Sequence, residues 1–206
     1  MSEDRLQAIF ESKRKSSTAF RMVQHKLGAF LDETLIETAD WRSRSGAIEL
    51  HKGLHWINLE LAEFIGAGDR TSQEEELADV MHFLVEFCLL CGYTHEIIKE
   101  DPAVGIDRLE VILNASKEDP FVFNDPHQNA RFAILSALRV ADMIKNKPWK
   151  QTLKVERDES EFEFRVRGIW YWYGATLRTL GMNAQGIRDE FFKKEAINYR
   201  RIESGV

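Results

Sequence analysis

The chain has 206 residues, of which 44% are hydrophobic and 30% are charged, a composition typical of a globular protein rather than a disordered one. Its formal net charge of −6 argues against a mainly electrostatic grip on nucleic acid or on an anionic membrane, although local cations or metal ions still permit nucleotide binding. The N-terminus is charged and no apolar run approaches ~20 residues, so we expect no secretory signal, no membrane span and a cytoplasmic location.

Apolar residues recur with helical period along most of the chain, and the four prolines fall where a helix would stop or turn. The pattern predicts an all-α bundle with helices at about 3–38 (with a break near Gly28), 47–66, 73–97, 104–116, 128–146, 161–180 and 184–202. We expect one domain over residues 1–206, in which "SKEDPFVFNDPHQ" separates N-terminal helices (1–118) from C-terminal helices (127–206).

The segment 152–167 is ambiguous, because "EFEFRV" alternates between apolar and polar residues as a strand would. Two features favour a helix. Ser160 and Glu163 have the spacing of a capping box, and the apolar residues from Phe162 to Leu180 follow helical spacing.

Two pairs of acids lie on consecutive predicted helices, Glu60-x-x-Glu63 and Glu76-x-x-Asp79. At about 100° per residue, the first pair shares a helix face with Trp56, and the second pair lies within or at the edge of a wide apolar arc. The short loop "GAGDRTSQ" offers Thr71 or Ser72 as an N-cap and predicts that the two helices are antiparallel neighbours. Both acid pairs are therefore expected to face protein rather than water.

Four carboxylates between packed helices repel one another and lose hydration, which is unfavourable by several kcal/mol per ion unless the charge is compensated. Hard divalent cations compensate it, and Mg²⁺ favours sites that substrate phosphates complete. The spacing thus points to metal-dependent phosphate chemistry. The alternative is a solvated acidic surface, because acids at i, i+3 are common on exposed helix faces and the neighbouring sequence is also acidic.

With these residues the chain resembles the all-α NTP pyrophosphatase superfamily, the group of MazG and the dimeric dUTPases. The hallmark of that group is E-x-x-E on one helix and E-x-x-D on the next, matched here by "INLELAEF" and "EEELADVMHFLVE". A second match is "FFKKEAINYRRIESG", which is similar to the C-terminal dUTPase pattern of Lys, Ile-Asn or Leu-Asn, Arg and Gly. The resemblance covers the chain from about residue 47 to its end.

The resemblance implies a site that both parts of the chain build. Glu60, Glu63, Glu76 and Asp79 would bind Mg²⁺, or Mn²⁺ in its place, and Glu60 or Glu63 would also orient the attacking water. In the C-terminal helix, the residues that would contact the phosphates and the nucleotide are Lys194, Asn198 and Arg201. The alternative for this helix is a solvated basic face, since Lys and Arg are typical of helix ends.

The implied reaction is hydrolysis of dUTP to dUMP and pyrophosphate, by attack of a metal-activated water at the α-phosphorus. Two other functions remain open: a MazG-type enzyme acting on dCTP or another nucleoside triphosphate, and a non-catalytic binding module on the same fold. The resemblance also implies a homodimer and a nucleotide as small-molecule partner, while the acidic net charge predicts no polymeric nucleic acid and no membrane as partner.

One segment departs from the family pattern. Dimeric dUTPases usually carry a Trp- and Lys-rich segment between the acid pairs, whereas this chain has "IGAGDRTSQ", in which Arg70 is the only cation. The segment "KNKPWK", Lys145 to Lys150, could supply cations and a stacking Trp149, but a basic helix end followed by a Pro turn is the favoured interpretation.

The remaining candidate groups favour structural roles. Cys88 and Cys91 form one C-x-x-C without a second ligand pair, which indicates two reduced thiols in a core. His51 and His55 have zinc-binding spacing but no third ligand nearby.

Three further features can be interpreted in two ways. His82 follows Asp79 by three residues and either hydrogen-bonds near the site or packs in the core. The run "IWYWYG" is rich enough for base stacking, but the helical spacing of Trp170 and Tyr173 favours the core or a dimer interface. Gln24 on the first helix is a candidate for reading the base.

Overall fold

The computed structural model describes residues 4–26, 44–101, 105, 107–144 and 159–204, and within these ranges the fold is all-helical. The helices are α1 (Arg5–Lys26), α2 (Arg44–Gly66), α3 (Arg70–Leu90), α4 (Arg108–Ala115), α5 (Pro126–Met143), α6 (Glu159–Thr179) and α7 (Ala184–Ser204), with a 3₁₀ turn at His95–Ile97. The predicted all-α fold is confirmed. No described helix combines the length and the apolar content that crossing a bilayer requires.

Several predicted helix ends were wrong, because capping contacts place them elsewhere. Asp69, not Thr71 or Ser72, is the N-cap of α3, and its carboxylate accepts hydrogen bonds from the backbone N–H and the hydroxyl of Ser72. The helix stops at Leu90 rather than at 97, because Gly92 adopts a φ of +80° that ends the helical path.

The N-termini of two later helices also differ from the prediction. Asp107 caps α4, which therefore begins at Arg108 rather than at 104. The helix α6 begins at Glu159, so the predicted capping box is wrong: Ser160 lies inside the helix instead of preceding it. The second half of the predicted first helix, including Gly28, lies outside the described residues.

Two antiparallel helix pairs, α2–α3 and α5–α6, form the centre of the bundle, and α2 packs against α5. The other helices cover this centre: α4 lies against α6, and α7 lies against α1 and α3. The core includes Leu54, Ile57, Leu61 and Phe64 of α2, Leu77, Val80, Leu84 and Phe87 of α3, and Trp170, Tyr173 and Leu177 of α6. Both aromatic residues of the run "IWYWYG" that were in question, Trp170 and Tyr173, are therefore core residues.

Polar contacts tie this core to the acid-bearing helix α3. The Tyr173 hydroxyl donates a hydrogen bond to the carbonyl of Leu77, 2.7 Å away, beside Glu76 in the sequence. The Trp170 indole N–H donates to the sulfur of Cys88 at 3.4 Å. Cys88 and Cys91 both carry reduced thiols, and burial raises the pKa of Cys88 to about 12, as expected for an unreactive core cysteine.

The N-terminal end of α1 is held against α4 by reciprocal ion pairs. Arg108 pairs with Asp4, which also accepts hydrogen bonds at the first turn of α1, and Arg5 pairs with Asp107. These contacts fix the start of α1, so that its later turns lie across α3 and α7.

The close packing of α4 on α6 generates a testable prediction. A Cβ at Gly174 would lie 2.6 Å from the carbonyl oxygen of Ile112 and would overlap its Cγ2, so Gly174→Ala must push two helices apart. We expect the free energy of unfolding to fall by about 2 kcal/mol or more. The matched control is Gly168→Ala on the same helix, where the nearest atom is Ser136 Oγ at 3.9 Å.

This control should raise stability by up to about 1 kcal/mol through helix propensity. Urea denaturation followed by circular dichroism measures both variants. Equal stability of the two variants would contradict the packing of α4 on α6.

Candidate metal centre

Acidic side chains from α2 and α3 converge at one point on the α2–α3 pair. Glu60, Glu63 and Glu76 each place a carboxylate oxygen within 4.8 Å of the other two. Leu61 follows Glu60 and Leu77 follows Glu76, and both leucines are fully buried. The acids therefore lie at the side of the contact between the two helices. The predicted burial of both pairs is only partly right, because Glu60, Glu76 and Asp79 are half-buried but Glu63 is exposed.

Burial and crowding change the proton affinity of two of these acids, Glu60 and Glu76. Burial, followed by the negative charges of Asp79, Glu63 and Glu76, raises the pKa of Glu60 to about 7. Burial and the neighbouring acids also raise the pKa of Glu76, to which Glu60 is hydrogen-bonded. The cluster therefore binds a proton more readily than isolated glutamates do, and a cation at the same point would be bound for the same electrostatic reason.

Asp79 belongs to the same field but has a different partner. Its Oδ2 lies 2.5 Å from the Nζ of Lys194, and it is not among the three acids that converge. Burial raises the pKa of Asp79, while the charges of Lys194, Arg201 and Lys13 act in the opposite direction. Asp79 therefore lies between the acid cluster and the cations Lys194, Arg201 and Lys13.

The C-terminal helix brings one of its predicted residues, Lys194, into direct contact with an acid of this site. Lys194, Asn198 and Arg201 are spaced i, i+4 and i+7, so they share one face of α7. Lys194 and Arg201 act on Asp79 from that face, and Asn198 lies between them, half-buried. Lys193 instead pairs with Glu190 and lies near Glu75, as a solvated lysine does.

Sequence reasoning missed one cation at the site. Lys13 of α1 is buried, lies 3.3 Å from the Oε2 of Glu86, and contributes positive potential at Asp79. The available signal was its position, because Lys13 follows Leu6 and Ile9 on the buried stripe of α1 at helical spacing. A lysine on such a stripe requires an acidic partner.

An aromatic pair also lies one helical turn from the acids. Trp56 precedes Glu60 by four residues on α2, and Phe83 follows Asp79 by four residues on α3. Their rings stack with centroids 5.8 Å apart and an interplanar angle of 16°. Since Trp56 is 44% exposed, it presents a flat apolar surface beside the cluster.

The three histidines considered in the sequence make contacts that indicate structural roles. His51 Nε2 lies 2.9 Å from the carbonyl of Ile144, and the ring of His55 lies against Trp56. Neither belongs to a metal-type cluster, since Glu60, Glu63 and Glu76 form the one such group within the described ranges. His82 is buried and stacks on Phe191.

The cations considered as substitutes for the family's Lys-rich segment either pair elsewhere or lie outside the described residues. Arg70 pairs with Glu74 on its own helix, at 2.5 Å. The segment Lys145 to Lys150, with Trp149, and the side chain of Gln24 lie outside the described residues.

The residues present fit a hard divalent cation. Three carboxylates offer oxygen ligands, the ligand type that Mg²⁺ and Mn²⁺ prefer, and they are already close enough to share one ion. The half-exposed position of the cluster leaves room for water and for substrate oxygens. The cations of α7 are near enough to meet anionic groups at the same place.

A family model described as dUTPase matches residues 59–206, which include both acid pairs and the whole of α7. The match covers well over half of the chain, and the chain therefore belongs to the dUTPase family. Neither a curated protein nor a solved structure matches the chain.

The raised pKa of Glu60 predicts how stability depends on pH without metal. Between its ordinary value of 4.5 and about 7, folded Glu60 holds a proton that the unfolded chain has lost. The free energy of unfolding should therefore fall as pH rises through this window, by roughly 1–3 kcal/mol for a partly solvated group. Thermal denaturation in chelator from pH 4.5 to 8 measures it.

Glu60→Gln cannot gain this charge, so it should flatten the pH dependence, whereas Glu49→Gln on the same helix should not. An unchanged slope in Glu60→Gln would show that the folded protein does not raise the pKa of Glu60.

Proposed function

From this membership in the dUTPase family, we propose that the chain hydrolyses dUTP to dUMP and pyrophosphate in the presence of Mg²⁺. The observation that carries the proposal is the convergence of Glu60, Glu63 and Glu76 beside the Lys194–Asp79 pair. An anionic cluster next to cations suits a triphosphate with its metal, because each part of the ligand meets the opposite charge.

Glu60, Glu63 and Glu76 would hold the metal, and Asp79, whose charge acts on Glu60, would add a fourth carboxylate once Lys194 releases it. Bound Mg²⁺, or Mn²⁺, would supply charge neutralisation at the phosphates and a lower pKa for a bound water. The neighbours Leu61 and Leu77, both fully buried, hold the acid-bearing turns of the two helices in place.

Glu60 is the better of the two acids proposed to orient the attacking water. It is half-buried, so packing restricts its position, whereas Glu63 is exposed. The water would attack the α-phosphorus, and pyrophosphate would leave.

The α7 residues would bind the leaving phosphates. Lys194 now pairs with Asp79, and we propose that it turns to the phosphate oxygens when the nucleotide binds, which frees the Asp79 carboxylate. Arg201 would add a second cation, and Asn198, between them on the same face, would donate its amide to a phosphate or to the sugar.

Trp56, which is 44% exposed, would support the base. Trp56 and Phe83 lie one helical turn from the acids, a separation suited to a base joined through a sugar to the α-phosphate. Stacking of this kind tolerates several bases. A preference for dUTP therefore rests on the family, and dCTP or another nucleoside triphosphate of the MazG type is the alternative substrate.

We also propose a homodimer. A second copy of the chain could cover large apolar side chains that are exposed on α5, on α6 and on the loop before α5. These side chains are Phe121, Phe123, Phe132, Leu135, Leu138 and Phe164. The single domain over 1–206 and the cytoplasmic location stay predictions from the sequence.

The reaction is tested with purified protein, each common nucleoside triphosphate and Mg²⁺, with pyrophosphate and orthophosphate measured separately. We expect pyrophosphate, formed fastest from dUTP. Release of orthophosphate alone would contradict the reaction. Metal binding without turnover of any nucleotide would favour the alternative of a non-catalytic binding module.

The role of the cluster is tested by a pair of neighbouring residues. Glu76→Gln should lower kcat at least 100-fold and weaken Mg²⁺ binding, because it removes one of three converging carboxylates. Glu75→Gln removes the adjacent exposed charge and should keep activity within twofold. Equal activity of the two variants would contradict the proposed metal site.

The aromatic pair makes a separate prediction about substrate binding. Trp56→Ala should raise KM for dUTP roughly tenfold or more, in line with about 1–3 kcal/mol per stacked base. The affinity for inorganic triphosphate, which has no base to stack, should change less than twofold. A similar loss for both ligands would show that Trp56 acts on the fold instead.

A further inference from the structure

A glutamate in the interior between α3 and α7 lacks the partners that a carboxylate needs. The side chain of Glu195 is 4% exposed, and neither of its oxygens accepts a hydrogen bond from the residues that the structure describes. A neighbouring polar atom is Nδ1 of His82, which lies 3.3 Å from Oε2 and, within the same described ranges, also has no hydrogen bond. An ionised carboxylate in this position would be strongly destabilising.

The other nitrogen of His82 identifies where the ring proton lies. Nε2 is 3.2 Å from the carbonyl oxygen of Phe191, and a carbonyl only accepts, so Nε2 carries the hydrogen. The ring is held in this orientation by stacking on Phe191, with centroids 4.0 Å apart. If the ring is neutral, Nδ1 presents a lone pair to Glu195.

Only two proton arrangements then avoid a lone pair facing an anion. In one, the imidazole is doubly protonated and forms an ion pair with Glu195. In the other, the imidazole is neutral and Nδ1 accepts a hydrogen bond from protonated Glu195. The second arrangement puts no charge in the interior, which favours it where both side chains are almost fully buried.

The charges around the pair favour the same arrangement. Lys13 from α1 and Lys194 from α7 oppose a positive charge on His82, while Glu86 on α3 favours one. Burial is the largest effect and, with the two lysines, lowers the pKa of His82 to about 3. Among the described residues, Tyr199, one turn after Glu195 on α7, is a further titratable neighbour of the pair.

We propose that Glu195 is protonated and donates a hydrogen bond to Nδ1 of neutral His82, and that this bond positions Lys194 at Asp79. The Glu195–His82 and Lys194–Asp79 contacts join consecutive residues of α7 to residues three apart on α3. Together they fix the rotation of α7 on α3. Glu195 is thus a positioning residue, and this catalytic consequence rests on the proposed function, whereas the proton assignment does not.

The proton assignment is tested by two-bond ¹H–¹⁵N correlation spectra of ¹⁵N-histidine-labelled protein, with His82→Asn identifying the signal among six histidines. We expect a neutral ring protonated at Nε2 from pH 5.5 to 8. A doubly protonated ring at pH 7, or a ring protonated at Nδ1, would overturn the proposal. This result does not depend on whether the protein hydrolyses a nucleotide.

The positioning role is tested by two substitutions at the same residue. Glu195→Gln keeps a neutral donor of the same shape and should retain kcat within threefold of the original chain. Glu195→Ala removes the donor and should lower kcat at least tenfold, while apparent Mg²⁺ affinity stays within twofold. The matched control Glu190→Gln, on a more exposed position of α7, should change neither quantity.

If Glu195→Gln loses as much activity as Glu195→Ala, the carboxylate charge matters and the proposal fails. If all variants, including the original chain, lack activity, the proposed function fails while the spectra still decide the proton assignment.

Discussion

The main constraint on this structure is that several carboxylates lie close together where two helices pack. Glu60, Glu63 and Glu76 stand close together, and burial with the neighbouring negative charges raises the pKa of Glu60 and of Glu76, a repulsion that is present whenever the site lacks a cation. The fold responds on the side of Asp79, where Lys194 makes a direct ion pair and Lys13 adds positive potential. Helices from both ends of the chain therefore serve one electrostatic purpose.

This arrangement explains why residues distant in sequence belong to one site. The acids need α2 and α3 to stay antiparallel, which the Asp69 cap and the apolar contacts between the two helices provide. Their compensation needs α1 and α7, which pack on α3. Ion pairs at the start of α1 and the Glu195–His82 contact on α7 hold those helices in register. Stability lost at the acids is offset by apolar packing elsewhere.

The sequence was most informative where the physics is local. Helical periodicity predicted the all-α fold. The spacing of the acids predicted that Glu60, Glu63, Glu76 and Asp79 converge, because two adjacent helices joined by a short loop have few ways to pack; the three glutamates do converge, whereas Asp79 pairs with Lys194. Helix ends were less predictable. Asp69, Thr71 and Ser72 are all good caps, and their choice depends on the path of the loop.

Long-range contacts could not be predicted from spacing. Nothing near Lys13 in the sequence identifies Glu86 as its partner, and the pairing of Lys194 with Asp79 depends on how α7 crosses α3. By spacing alone, Glu195 is not distinguishable from the other acids on a charged helix, and only the structure shows that it is buried against His82. Residue type was visible in each case, but the partner was not.

The central claim, that the three carboxylates form a divalent cation site, is tested most directly by anomalous diffraction from crystals grown with Mn²⁺. The account predicts one strong anomalous peak bonded to oxygens of Glu60, Glu63 and Glu76, at about 2.0–2.3 Å. A well-ordered cluster without a peak at saturating Mn²⁺, or a peak bonded only to other residues, would contradict it.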